Sequence, residues 1–84
     1  VKLKEKNFRI KDKITAYKKI REYFKKRNPK KIERIDGLSF YFDEYWCNIR
    51  FSQTEPVLRL NLEANNEKTM KEKSEEISKF LEQL

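Results

Sequence analysis

Hydrophobic and polar positions alternate in two distinct rhythms along this chain. From Pro56 to Ala64, Leu58, Leu60, Leu62 and Ala64 alternate with Val57, Arg59, Asn61 and Glu63. Such period-two alternation with one apolar face predicts a half-buried strand. Just before it, Cys47, Ile49 and Phe51 alternate with Trp46, Asn48 and Arg50. Leu38, Phe40 and Phe42 alternate with Ser39 and Tyr41, a third strand. Asn7–Ile10, built on Phe8 and Ile10, and the weakly patterned Lys31–Ile35 supply two more. Between Lys13 and about Arg27 the rhythm changes. Ile14, Tyr17, Ile20 and Phe24, with Tyr23 beside them, draw one apolar stripe on a helix. Met70, Ile77, Leu81 and Leu84, with Phe80 adjacent, draw a second stripe after Asn65-Asn66. Lys73 and Ser74 interrupt that stripe.

The punctuation agrees with these elements. Asp12 and Asn65-Asn66 are side chains that cap helix N-termini, and Glu67 puts a negative charge where the helix dipole favours it. Asn28-Pro29 stops the first helix, because the residue before proline disfavours the helical region. Asp36-Gly37 between apolar runs predicts a two-residue hairpin. Asp43-Glu44-Tyr45 turns the chain once more, and Val1–Lys6 is too charged for its pattern to fix an element, the kind of terminus that can fray. The resulting order is strand, helix, four strands, helix. Short joins make neighbouring strands antiparallel, and two helices with one apolar stripe each cover one face of the sheet. The fold class is therefore α+β, a two-layer sandwich.

Composition narrows the chemistry. The chain has 84 residues, one Cys and no His. It is one small domain, without a disulfide framework or a Cys/His metal site. Cys47 falls on the core face of its strand and reads as a small buried hydrophobe. A lone thiol suits a reducing compartment, and the expected location is cytoplasmic. No apolar run approaches the ~20 residues of a membrane span. The first residue is Val, and the chain reads as part of something longer.

Charge is unevenly spread. Residues 1–34 carry fifteen Lys and Arg against four acidic residues, and residues 35–84 carry six against ten. A basic half invites a nucleic-acid reading, with Tyr41 and Trp46 as stacking groups on an open sheet face. The plainer reading is a solvated, lysine-rich helix face, because the basic residues follow helical spacing without interleaved aromatics. A protein-interaction module docking through its open face is a third reading.

The sharpest chemistry lies between Arg50 and Arg59. If the leucine face and the Cys47/Ile49 face both look at the core, the two arginines share the opposite face and flank Ser52-Gln53-Thr54-Glu55. None of these side chains is a strong nucleophile or base without a helper. All but Glu55 donate hydrogen bonds, and arginine forks match phosphate oxygens. Spacing alone leaves open the alternative of a hairpin with ordinary solvated arginines.

Arg50-Phe51-Ser52-Gln53-Thr54-Glu55-Pro56, followed by Arg59, resembles the phosphate-binding loop of the α-D-phosphohexomutases, R-x-S-[NG]-T-E-P and a later arginine. That family includes phosphomannomutase/phosphoglucomutase and phosphoglucosamine mutase. Ile35-Asp36-Gly37-Leu38 resembles the family's I-D-G-[VL], and Asn7–Lys13 resembles the segment after its sugar-binding loop. The resemblance covers nearly the whole chain. Gln53 stands where Asn or Gly is usual, and Phe51 where a small residue is common.

The resemblance implies that residues 1–84 are the C-terminal, phosphate-binding domain of a larger mutase, with a fold like half of the TATA-binding protein. It implies that Arg50, Ser52, Gln53, Thr54 and Arg59 hold a substrate phosphate, with Glu55 structural. It also implies which parts lie elsewhere. The family's T-x-S-H-N-P, D-x-D-x-D-R and G-E-x-S-G loops are absent here, so this domain contributes no catalytic and no metal-binding residue. Mg²⁺ and a hexose 1,6-bisphosphate belong to the parent enzyme, as does the choice of hexose. The implied partners are a phosphosugar and the N-terminal domains of that enzyme. Membrane and nucleic acid are not among them.

Overall fold

A computed structural model describes residues 1–84. Its elements are β1 (Lys6–Arg9), α1 (Lys13–Lys25), β2 (Lys31–Glu33), β3 (Leu38–Tyr41), β4 (Tyr45–Phe51), β5 (Val57–Ala64) and α2 (Glu67–Leu81). The five strands form one antiparallel sheet in the order β1-β5-β4-β3-β2. The element order matches that expected from the two rhythms. The helices cover one face, giving an α+β two-layer architecture compatible with a TATA-binding-protein-like fold.

Strand parity explains why that face is the buried one. Phe40, Cys47, Ile49, Leu58 and Leu60 are all fully buried, together with Ile20 and Phe24 of α1 and Leu81 of α2. Phe24 stacks on Phe40 with ring centres 4.2 Å apart, joining α1 to the sheet. Tyr23 stacks on Phe80 at 4.0 Å, joining α1 to α2. Aromatic pairs of this kind add directional preference to plain area burial. Cys47 lies in this core, and burial pushes its thiol up to about 12. It stays protonated at neutral pH and is neither nucleophile nor metal ligand.

The caps fall where expected. The Asp12 carboxylate accepts from Thr15 N at 3.1 Å and from the Thr15 hydroxyl, and these bonds hold its pKa below the usual carboxylate value. Asn66 accepts from Thr69 N at 2.8 Å at the start of α2. Asn28 adopts φ 55° just after α1, the left-handed geometry in which helices commonly end.

Several expectations need correction. Ile14 is not part of the α1 core stripe. It is 70% exposed, and Ala16 packs in the core instead, because the buried line runs through positions 16, 20 and 24. Ser74 fills the gap in the α2 stripe, buried with its hydroxyl donating to Lys71 O, while Met70 is only partly buried. Strand β2 ends at Glu33, two residues early, and β3 ends at Tyr41. The β2–β3 connection therefore spans Arg34–Gly37, longer than a two-residue hairpin, with Ile35 78% exposed at its tip. Asp36 and Gly37 nevertheless take the positive φ values, 56° and 92°, that such a turn demands.

Val1–Leu3, for which the sequence pattern fixes no element, is paired rather than frayed. β5 is longer than β1, and the remainder of its edge pairs with these residues. Leu3 N donates to Leu62 O at 2.8 Å and Ala64 N to Val1 O at 2.9 Å. No helix is long and apolar enough to cross a membrane.

Candidate functional site

Arg50 and Arg59 are directly opposite each other in the β4–β5 ladder. Their neighbours Ile49 and Leu60, also a facing pair, are fully buried, so both arginines emerge on the open face. The parity expected from the sequence is the parity observed. The loop from Ser52 to Pro56 closes the ends of these two strands. Together with Asp36, Gly37 and Phe51, the residues Arg50, Ser52, Gln53, Thr54 and Arg59 line an open depression of about 630 Å³.

The loop is shaped by Ser52. Only 8% exposed, its hydroxyl oxygen accepts from Thr54 N at 3.3 Å and Glu55 N at 3.2 Å. A serine oxygen that gathers the next backbone N–H groups is a local turn device. Ser52 N donates to Val57 O at 2.8 Å and sets the register of the exit strand. From the layer of helices, Lys13 reaches over and donates to Ser52 O. That ties the first turn of α1 to the loop and places a third cation behind it.

The donors divide accordingly. The Thr54 and Glu55 N–H groups and the Ser52 oxygen are already engaged with one another. Gln53 is exposed, and neither its backbone N–H nor its side-chain amide has a protein partner. The Thr54 hydroxyl touches only the Ser52 hydroxyl, at 3.5 Å. Glu55 pairs with no arginine. Its side chain is exposed, and it serves the loop through its backbone, the N–H donating to Ser52 Oγ and the carbonyl accepting from Val57 N at 2.8 Å.

Neither arginine is free of acidic company. Arg50 Nη1 lies 3.4 Å from Asp36 Oδ2, and Arg59 Nε lies 3.9 Å from Glu5 Oε1. Glu5 also accepts from Asn61 Nδ2 at 2.9 Å. The two guanidinium groups thus share a face and a depression while each is drawn toward a separate carboxylate. The sequence pattern does not announce the contacts of Lys13 and Glu5 or the Asp36–Arg50 pair. Each joins residues at least fourteen positions apart, and no local pattern carries such a contact.

The rest of the open face forms a second depression of about 490 Å³, with Tyr41, Trp46, Asn48 and Asn61 among its lining residues, and its aromatic groups have partners within the protein. Tyr41 and Trp46 stack at 5.7 Å, the Tyr41 hydroxyl donates to Glu33 at 2.6 Å, and Trp46 Nε1 donates to Glu63 at 3.1 Å. The Glu33 bond raises the Tyr41 pKa, and the Tyr41 hydroxyl with nearby Lys31 lowers that of Glu33. The lysine-rich face of α1 points away from the opposite layer. The basic helix and the aromatic pair that a nucleic-acid surface requires together are therefore on opposite sides. No group of three His, Cys, Asp or Glu side chains is gathered as a metal ion requires.

Comparison with known proteins adds an independent line. Residues 5–80 match the family described as "Phosphoglucomutase/phosphomannomutase, C-terminal domain". A phosphomannomutase of Methanocaldococcus jannaschii is 53% identical over 93% of this chain and 17% of its own length. A protein of Xanthomonas campestris named "Phosphohexose mutases" is 33% identical over 89% of the chain and 17% of its own length. A phosphoglucosamine mutase of Campylobacter hominis is 34% identical over 95% of the chain and 19% of its own length. The chain thus spans about a sixth of the length of these relatives.

Proposed function

The chain belongs to the phosphoglucomutase/phosphomannomutase C-terminal domain family, and from that premise we propose that it anchors the non-reacting phosphate of a hexose phosphate. The observation that carries this reading is the facing pair Arg50 and Arg59 at the mouth of a loop with unpartnered donors. Two guanidinium forks match the oxygens of a phosphate dianion. Gln53 and the Thr54 hydroxyl add donors that bind an anion without a change of loop backbone. Ser52 acts mainly from behind, by holding Thr54 and Glu55 in place.

In this reading the parent enzyme is a phosphohexomutase, an isomerase that interconverts hexose 1-phosphate and 6-phosphate in the cytoplasm. The sugar turns over between two half-reactions, and one phosphate must be held while the other reacts. Binding energy at the remote phosphate then serves positioning. The reacting serine, Mg²⁺ and the hexose 1,6-bisphosphate belong to the parent's other domains. The test is a coupled mutase assay on mannose 1-phosphate and glucose 1-phosphate with Mg²⁺ and bisphosphate. The parent protein turns over and the isolated 84 residues do not. Robust turnover by the isolated domain contradicts the proposed division of labour.

A further inference from the structure

The Asp36–Gly37 turn is pressed against Arg50, one of the two arginines of the phosphate reading. Three features hold it there. Gly37, at φ 92°, leaves no room for a side chain: a Cβ would meet Ile49 O at 2.5 Å and Arg50 Cγ at 2.8 Å. Asn48 Nδ2 donates to Asp36 O at 3.0 Å and to Ser39 Oγ at 2.9 Å, fastening the turn to β3 and β4. Asp36 itself sits at φ 56°, a conformation that Asp and Asn tolerate better than most residues. The result is a carboxylate on the rim of the depression, 74% exposed, with Oδ2 at 3.4 Å from Arg50 Nη1.

A carboxylate in that position is an acceptor of the same charge as the ligand. It satisfies the guanidinium that a phosphate must engage, and it repels a phosphate bound beside it. Resting on the phosphate-anchor reading, we propose that Asp36 is a resident counter-ion of the anion site. It holds Arg50 while the loop is empty, is displaced when a phosphate binds, and weakens the site for any anion that cannot displace it. It is a positioning residue rather than a contact of the bound ligand. The close approach at Gly37 keeps it from drifting out of reach.

The prediction is unusual in sign, because removing a polar residue from the site tightens binding. Asp36→Asn and Asp36→Gly both suit a positive φ, so the turn survives in each. Inorganic phosphate is titrated into the 84-residue chain and both variants, with the Gln53 and Thr54 amides followed by ¹H–¹⁵N spectra. Both variants bind phosphate more tightly than the wild type, by up to about fivefold, the upper range for an exposed ion pair. The difference narrows as salt is added, since exposed pairs are screened. Equal or weaker binding by both variants, with clear binding by the wild type, overturns the counter-ion role and leaves the anion site standing. No phosphate-induced shift in any of the three removes the anion site and the counter-ion together.

Discussion

Leu60→Ala lowers the thermal midpoint of the domain, followed by circular dichroism or calorimetry, by roughly 8 °C or more. Leu60 is fully buried in β5, paired with Ile49 on one side and Lys6 on the other. Truncating a buried leucine removes its transfer free energy and leaves a cavity, for a cost of about 2–5 kcal/mol. Each kcal/mol shifts the midpoint of a domain this size by about 4–8 °C. The total stability expected for 84 residues is only about 4–13 kcal/mol. Leu60→Ala therefore removes a large share of it, and a cost of about 5 kcal/mol against a stability of about 4 kcal/mol leaves the domain largely unfolded.

Arg50→Ala does the reverse. The fold stays within about 0.5 kcal/mol of the wild type, because the side chain is 42% exposed and its one ion partner, Asp36, is more exposed still. Phosphosugar use falls instead. A charge-assisted hydrogen bond contributes about 1.5–3 kcal/mol. On the proposed phosphate-anchor reading, kcat/KM of the parent enzyme for a hexose phosphate falls by at least about tenfold. Measuring midpoints and kinetics on the same two variants separates the faces of the sheet. An Arg50→Ala protein that unfolds beside a stable Leu60→Ala protein means that the two faces have been exchanged.

The sequence was most legible where one local rhythm governs. β4 and β5 alternate cleanly, and that alternation alone placed Arg50 and Arg59 on a common face. The caps at Asp12 and Asn66 are likewise local, since each side chain bonds a backbone N–H three residues on. What escaped was set by distance in the chain. Ile14 has the right residue type for a core, but it stands off the line through Ala16, Ile20 and Phe24. The edge pairing of Val1–Leu3 depends on the spare length of β5, which the charges of the first six residues conceal. Within the site, the turn-forming use of the Ser52 oxygen, which accepts from the loop's own Thr54 and Glu55 N–H groups and leaves its O–H free to donate, is not visible in the spacing. The Asp36-Gly37 dipeptide is a local turn signal, and its residues take the positive φ values such a turn uses. Its contact with Arg50 comes from β3 and β4 being neighbours, a property of the sheet rather than of either segment.

Titration of the ¹⁵N-labelled domain with mannose 1-phosphate tests the phosphate anchor most directly. A single phosphate anchor without partner domains supports only about millimolar affinity, which amide shifts resolve well. Saturable shifts are expected from Arg50 to Arg59, centred on Gln53 and Thr54, and they vanish in Arg50→Ala. Single-stranded RNA moves only residues 11–31, diffusely, and the effect disappears with salt. Silence in the loop with mannose 1-phosphate, together with saturable, salt-resistant RNA shifts at Tyr41 and Trp46, contradicts the anchor and assigns the open face to nucleic acid.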